Sequence, residues 1–241
     1  MIAYKFLSAG AVGLFSRYAW PTPTADALGE WVRVDGELKH CLNGVHACAT
    51  AQLVEWLDDE LWEIELDGAV LEADGAVIAP AGRLVRRLEG WNDECARAFV
   101  GHCVDGTVAL AAESLAREGR ATDAEALLAS RSQPGAELKV FELARNLEED
   151  QSGPVSFAAD MARLEHGGRP ELDADAPTAE AGGPTPAALA ANLGFVCAHI
   201  TAQLAERESA GAYAESYARE RVSQSSWLAE KLQLEPPGDA S

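Results

Sequence analysis

Residues 61–67 read LWEIELD, and their alternation decides the fold of the first part of the chain. Apolar side chains at Trp62, Ile64 and Leu66 are separated by acidic ones, so the two kinds fall on opposite faces of an extended segment. Gly68 ends the pattern. This is the pattern of a strand with one buried face, and it predicts a β-sheet here.

Shorter patterns around this strand predict the rest of a small sheet domain over residues 1–90. Further strands are expected at 2–7, 44–48, 69–73, 76–79 and 83–88, with the Asp74-Gly75 pair in a hairpin turn. Thr50 is expected to cap one short helix that ends near residue 57. The predicted domain is a mixed sheet with that single helix.

After Trp91 the apolar residues recur with the period of a helix. Asn92 is a predicted cap for a helix that ends near Gly119, with Leu110 on its apolar face. Thr122 and Glu125 form a predicted capping box for the next helix. Further helices are expected at 136–149, 155–165 (with Phe157 facing inward), 186–207 and 210–232.

The predicted fold class is therefore α+β, with a small N-terminal sheet domain followed by a mostly helical bundle. The helical part divides into a region at 91–165, a flexible linker rich in Gly, Pro and Asp at 166–185, and a C-terminal helical pair at 186–234 that we expect to pack on 91–165. Residues 235–241 are expected to be disordered.

Charge and cysteine usage restrict the partners and the compartment. Thirty-nine acidic residues against nineteen basic ones give a net charge of -20, which excludes a general nucleic-acid or anionic-membrane surface. The chain has five cysteines and no CxxC pair, so we predict free thiols in the cytoplasm.

Two apolar segments imitate membrane signals. Residues 6–15 loosely resemble a signal peptide, but Arg17 follows at once and no cleavage site is evident. Residues 181–205 are uncharged and long enough to span a bilayer, but they contain two prolines and several polar residues. We predict a buried helix there and no membrane partner.

Residues 40–48, HCLNGVHAC, contain the candidate reactive side chains. On a strand, His46 and Cys48 share a face, and a thiolate formed beside the imidazole would be a nucleophile. The favoured alternative is structural, with a buried thiol and with His46 bonded to the backbone. A zinc site would use Cys41, His46 and Cys48 with His40, His102 or His199, but the paired spacing of such sites is missing, so no metal is predicted.

Two charged clusters have competing interpretations. The acidic run Asp58-Asp59-Glu60 could hold a cation, although a solvated turn is favoured. Arg83 and Arg87 share a strand face in a regular strand and could bind a phosphate or carboxylate of a cofactor, although pairing with the many carboxylates of the chain is favoured. No cofactor is identified.

The N-terminal block resembles a family of uncharacterised bacterial proteins from GC-rich genomes. The matching pieces are Tyr4-Lys5-Phe6, Trp20-Pro21, Gly44-Val45-His46-Ala47-Cys48 and Trp56-Leu57 followed by ELWEIEL at 60–66. This resemblance implies no activity. More distantly, the order of elements is similar to ADP-ribosyltransferase-type domains, which have an Arg or His on the first strand and a catalytic Glu late in the sheet. Lys5 occupies the first position here, and no Glu is assigned to the second.

These observations leave three functional hypotheses open. The first is a module that binds a small molecule or a protein, with a pocket around His46 and Trp62 and with Arg83 and Arg87 as further ligand-binding candidates. The second is a transferase-like enzyme that uses His46 with Cys48 or Lys5. The third is a structural homodimer formed through the helices. Whether the chain is an enzyme is left open.

Overall fold

A computed structural model describes residues 1–73, 75–131, 142–143, 145–146, 153–165 and 184–236. Strands are concentrated in its first part and helices follow, so the predicted α+β class is confirmed. The chain forms two compact units. The first contains Met1–Ala96, Thr185–Ala191 and Arg221–Ser241, and the second contains Arg97–Pro184 and Asn192–Glu220.

The strands lie close to their predicted positions. They are β1 (Ile2–Leu7), β2 (Val32–Arg33), β3 (Val45–Ala47), β4 (Glu60–Asp67), β5 (Leu71–Ala73), β6 (Ala76–Ala79) and β7 (Ala81–Arg87). The predicted hairpin is confirmed by the antiparallel pairing of β5 with β6, in which Ala73 opposes Ala76, and Gly75 has φ 73°; Asp74 lies outside the described residues. The two-residue β2 has no counterpart among the predicted strands.

The strands form two antiparallel sheets, so the expectation of a mixed sheet was wrong. One sheet has the order β1-β4-β7-β2, and the other has the order β3-β6-β5. Parallel neighbours need a long crossover that usually contains a helix. Here the helix-containing connection joins β3 to β4, which belong to different sheets. The sheets meet where Tyr4 and Cys48 exchange backbone hydrogen bonds of 2.9 and 2.8 Å.

The apolar face of β4 forms the core of the first unit, as predicted. Its buried side chains pack with apolar residues of both sheets, including Leu7 from β1, Val45 from β3 and Leu84 from β7. Burying this face is what holds the sheets together, at roughly 25 cal/mol for each Å² of apolar surface removed from water. The site described below is built on the edge of this core.

The short helix between β3 and β4 differs from its prediction. It is a 3-10 helix, Thr50–Glu55, preceded by Ala49 and not capped by Thr50. Ala49 has no side chain that could accept a hydrogen bond at the start of this helix. Gln52 does so, because its Oε1 accepts a 2.9 Å hydrogen bond from the Ala49 N–H.

Arg221 explains why the end of the last helix belongs to the first unit. Its buried guanidinium donates to Glu55 Oε1 at 3.0 Å and to the Val54 carbonyl at 2.6 Å. The sequence placed the whole segment 186–234 with the helical region. The structure divides the chain differently because a buried Arg needs several acceptors, and the 3-10 helix provides them.

The helices are α1 (Asp93–Arg117), α2 (Ala121–Ala129), α3 (Gly153–Glu165), α4 (Pro186–Glu208) and α5 (Tyr213–Lys231). Asn92 caps α1 as predicted, since its Oδ1 accepts from the N–H groups of Glu94 and Cys95. The capping box predicted for α2 was wrong. That helix starts after Arg120, whose Nε donates to Asp123 at 2.7 Å.

In the second unit, two predicted inward side chains are exposed. Leu110 on α1 and Phe157 on α3 point to solvent, with 38 and 53% of their surfaces exposed. On α3 the buried positions are 155, 156, 158, 159, 161 and 162, a face that does not include 157. Val155, Met161 and three alanines, and not the large Phe157, therefore supply the apolar part of the packed face of this helix.

Three predictions fall partly outside the described residues: most of the helix at 136–149, residues 166–183 of the linker, and residues 237–241 of the tail. Among the described helices, α4 is long and apolar enough to cross a membrane by length and composition. Half of its most apolar window is buried within the protein, as in the core helix of a soluble protein, so this is weak evidence for a membrane span.

A buried carboxylate, Glu60 at the start of β4, organises the loop that follows β1. It accepts hydrogen bonds from the N–H groups of Gly10 and Ala11 at 3.0 and 3.1 Å and from the Trp62 indole at 3.0 Å. Arg87 lies 3.4 Å away and compensates the charge. Both loop residues have positive φ, 81° and 57°, which turns their N–H groups toward one point.

The neighbouring acids bind the same loop. Asp58 accepts a 2.7 Å hydrogen bond from Ser8 Oγ, and Asp59 accepts one of 3.2 Å from the Ala9 N–H. The run 58–60 is therefore neither a cation site nor a solvated turn. Its three carboxylates hold residues 8–11, through the hydroxyl of Ser8 and the backbone N–H groups of the three residues that follow.

We predict that Glu60→Ala lowers the free energy of unfolding by about 2–4 kcal/mol, because it leaves two backbone N–H groups, an indole and an arginine without their acceptor. Urea denaturation measures the change. Glu89→Ala is the control, since Glu89 is exposed and reaches the same Arg87 only at 3.7 Å. Equal effects of the two substitutions would contradict the role of Glu60.

Candidate functional site

A cavity of about 740 Å³ in the first unit contains the candidate site. Its walls come from β1, from the loop at 13–20, from the turn at 41–46 and from Trp56. Lys5 and His46, two of the residues singled out from the sequence, line it. Cys48, Trp62, Arg83 and Arg87 are not among its lining residues.

The loop at 13–20 is positioned by the Glu60 contacts and by its own backbone. Ser8 and Trp20 donate to the carbonyls of Val12 and Ala11 at 2.8 and 2.9 Å, so the loop folds back on itself. The fold presents aromatic rings to the cavity, with Tyr18 edge-on to Trp20 at 5.8 Å between ring centroids.

His46 is a structural clamp for the turn at 41–46. Its Nδ1 donates to the Gly44 carbonyl at 3.0 Å, so the ring is the tautomer whose Nε2 accepts, and that atom takes a 3.0 Å hydrogen bond from the Cys41 N–H. Cys41 has φ 59°, and a Cβ at Gly44, where φ is 138°, would overlap Ile78 Cγ2. Both ring nitrogens are thus hydrogen-bonded to the main chain. This arrangement agrees with the structural interpretation of His46, in which the ring bonds to the backbone.

The pKa of His46 is lowered, first because the ring is half-buried and further because Lys5 and His40 are nearby, while the Gly44 carbonyl opposes the shift. The neutral ring is the form that fits, because a second ring proton would face the Cys41 N–H. In this arrangement His46 has no free nitrogen with which to act as a general base.

Lys5 provides the reactive amine of the cavity. Its Nζ donates to the His46 carbonyl at 2.6 Å and lies 4.9 Å from the centroid of the Trp20 ring. Burial of the ammonium lowers its pKa from the usual 10.5 to about 8, although Cys48 opposes this shift. A fraction of the amine is therefore neutral near physiological pH, which is rare for lysine.

Cys48 lies in the core beside β1. Its Sγ donates to the Tyr4 carbonyl at 3.4 Å, and burial raises its pKa to about 12 despite the nearby Lys5. The thiol stays protonated at neutral pH, and this placement supports the structural interpretation of Cys48. The thiol exposed at the cavity is that of Cys41, and the other four cysteines are buried.

The remaining ligand-binding candidates are held by the protein itself. Trp62 is buried with its indole N–H on Glu60. Arg83 pairs with Glu65 at 2.6 Å and lies over the Trp31 ring, and Arg87 pairs with Glu60. The favoured expectation that the arginines pair with carboxylates agrees with these contacts.

Arg83 and Arg87 do not share a strand face, contrary to the expectation from a regular strand. The register between β4 and β7 shifts at Glu63/Ile64, so Arg83 opposes Glu65 while Arg87 opposes Trp62. A β-bulge adds one residue to one strand and reverses the parity of the residues beyond it. Arg86, which pairs with Glu63 at 2.7 Å, takes the place beside Arg83.

The structure adds site residues that the sequence analysis did not identify: Phe15, Tyr18, Trp20, Leu42 and Trp56. A signal for them was present. Large apolar side chains at 14–15 and 42 occur in turn segments beside Gly13 and Gly44, where a buried partner face is not expected.

No family model, curated protein or solved structure matches the chain. The resemblance of the N-terminal block to a bacterial family stays a prediction, and the site is interpreted from its own geometry. Among the described residues, no group of three or more His, Cys, Asp or Glu side chains is placed to hold a metal ion.

Two further histidines that the sequence analysis considered as metal ligands, His102 and His199, lie in the second unit. His199 on α4 contacts the rings of Phe195, Tyr213 and Tyr217, and its Nδ1 is within hydrogen-bond reach of the Tyr213 hydroxyl. Burial lowers the pKa of His102 on α1, while nearby carboxylates oppose the shift. Both fit a packing role.

We predict that His46→Ala destabilises the protein by about 1–2 kcal/mol at neutral pH, because two backbone groups lose their partner. A folded pKa below the ordinary 6.5 means that the unfolded chain binds the proton first, so the wild type loses this stability as the pH falls below about 6.5. Urea denaturation at several pH values measures it. His40→Ala, at an exposed ring, is the control, and a pH-independent difference would contradict the clamp.

We also predict that Lys5→Met changes the pH dependence of stability. Burying the Lys5 ammonium destabilises the wild type below about pH 8, and this penalty shrinks as the pH rises to 10.5, above which the lysine is mostly neutral in both states. The wild type should therefore gain roughly 3 kcal/mol relative to the variant across that interval. Urea denaturation at several pH values measures the free energy of unfolding of both proteins. If that free energy changed with pH by the same amount in both, the lowered pKa of Lys5 would be contradicted.

Proposed function

We propose that the first unit binds a small, largely apolar molecule in the 740 Å³ cavity and anchors an acidic or carbonyl group of that molecule at Lys5. The observation that carries this proposal is the set of large apolar side chains left exposed around the cavity. Phe15 and Leu42 are 80 and 82% exposed, and both belong to its lining.

Exposed apolar groups of this size are unfavourable in water unless a partner covers them. Leu14 and Tyr18, which are 39 and 46% exposed, line the same cavity, so four exposed large apolar side chains lie together there. Its volume lies within the roughly 300–1,000 Å³ of small-molecule pockets. These features favour a small ligand that covers the aromatic rim.

Lys5 gives the cavity its polar anchor. An ammonium has three donors, and one of them is used on the His46 carbonyl, so a ligand oxygen can receive another. The surrounding apolar groups strengthen a charge-assisted hydrogen bond because they exclude water. An apolar carboxylate or an apolar carbonyl compound has the chemistry that this arrangement accepts.

The charge of the chain agrees with a small-molecule partner in place of a nucleic acid, since a net charge of -20 repels phosphate backbones. Five free cysteines are typical of a reducing compartment, and we propose the cytoplasm. Binding that orders the rim at Phe15 and Leu42 would suit a regulatory module, because occupancy would change an exposed surface.

We predict that 2-naphthoate binds the wild-type protein and protects Cys41 from alkylation by iodoacetamide, since Cys41 is the exposed thiol and lines the cavity. The fluorescence of Trp20 and Trp56 reports the same binding. Affinity should fall about tenfold per pH unit above about pH 8, where Lys5 loses its charge.

Variants give this test a matched control. Phe15→Ala should weaken naphthoate binding about fivefold or more, while Phe157→Ala, an exposed phenylalanine in the second unit, should not change it. Lys5→Met should abolish the preference for naphthoate over the neutral 2-naphthylmethanol. Equal effects of the two Phe substitutions, or no protection of Cys41, would overturn the proposed site.

A further inference from the structure

We propose that the Lys5 amine captures an apolar aldehyde or ketone in the cavity by forming an imine, so that the ligand class of the site is carbonyl compounds. This inference rests on the proposed function and names its chemistry. It depends on three features of the first unit: where the amine lies, what holds it and what surrounds it.

The amine is placed at the wall of an open cavity. Lys5 extends from β1, the first strand in the order β1-β4-β7-β2, where it pairs with Trp62 of β4. A rigid strand therefore fixes its backbone. The His46 carbonyl at 2.6 Å and the Trp20 ring at 4.9 Å fix the far end of the side chain. A ligand that enters the cavity meets an amine that is already in position.

The surroundings of Lys5 favour the neutral amine. Within the part of the chain that the structure describes, Lys5 has no carboxylate partner, and its polar contact is a carbonyl oxygen, which accepts one hydrogen from either protonation state. The aromatic and aliphatic lining removes water from the ammonium, which is the usual way to activate a lysine as a nucleophile. The lowered pKa of Lys5 agrees with this geometry.

The reaction is balanced without an oxidant or a reductant. The nitrogen lone pair attacks the carbonyl carbon, and the amine proton passes to the carbonyl oxygen to give a carbinolamine. The carbon–oxygen bond then breaks, the oxygen leaves as water with the second amine proton, and a carbon–nitrogen double bond remains. Hydrolysis reverses the sequence. His46 supplies no proton to these steps, because both its nitrogens are bonded to the backbone.

The test uses the wild-type chain with 2-naphthaldehyde as the probe and sodium cyanoborohydride to trap the imine as a secondary amine. Peptide mapping by mass spectrometry locates the adduct, and fragment ions separate Lys5 from the α-amino group of Met1. We expect Lys5 to be modified at least about tenfold faster than Lys39 and Lys231, because the cavity holds the probe beside the Lys5 amine and burial lowers the pKa of that amine to about 8. An excess of 2-naphthoate should suppress the adduct at Lys5 and leave the other lysines unchanged.

Two variants complete the test. Lys5→Met should remove the dominant adduct, and Lys231→Met, at an exposed lysine, should not. Modification of Lys5 no faster than Lys39 and Lys231 would overturn the imine. If naphthoate protects Cys41 but no adduct forms at Lys5, the imine fails and the proposed binding function stands. If naphthoate neither protects Cys41 nor suppresses an adduct, the proposed function itself fails.

Discussion

The architecture of the first unit depends on the buried carboxylate of Glu60. Its oxygens bind the N–H groups of Gly10 and Ala11 and the Trp62 indole, so one side chain joins the loop after β1 to the strand that forms the core. An unpaired carboxylate in such a place would be costly, and Arg87 compensates the charge. The aromatic wall at 13–20 follows directly from this anchored turn. The cavity is therefore supported in two ways. The hydrogen bonds of Glu60 hold the loop after β1, and hydrophobic packing holds the strands.

The second support of the cavity is the pair of contacts made by His46 and Lys5. The imidazole closes the turn at 41–46 through two backbone groups, and the carbonyl of the same residue holds the lysine. The ring of His46 and its carbonyl therefore have different roles. The histidine fixes the backbone, while the amine faces the cavity. A reactive side chain placed by a strand and a clamped turn keeps its position without a ligand.

The sequence predicted the regular parts of the fold well, because they follow from local periodicity. The alternation at 61–67 identified β4 and its buried face, and Asn92 identified the start of α1. The bulge that separates Arg83 from Arg87 was not predictable, since register depends on the partner strand. Of the candidate site, Lys5 and His46 were found. Cys48 differs from the cavity residues because the bridge to Tyr4 buries it, and a single strand pattern does not reveal such a bridge. The rim at 13–20 was missed because its geometry arises from contacts with distant acids.

The exposure of Phe15 and Leu42 has a consequence for how this protein could diversify. Residues that form the frame, such as Gly44 and Glu60, tolerate little change, because a side chain or a lost acceptor there disturbs the backbone. Phe15 and Leu42 bury little surface within the protein, since most of their surface is exposed to solvent. Substitutions at these two residues should therefore change the folding free energy little. Under the proposed binding function, the rim is where ligand preference can change during evolution while the backbone that supports the cavity stays intact.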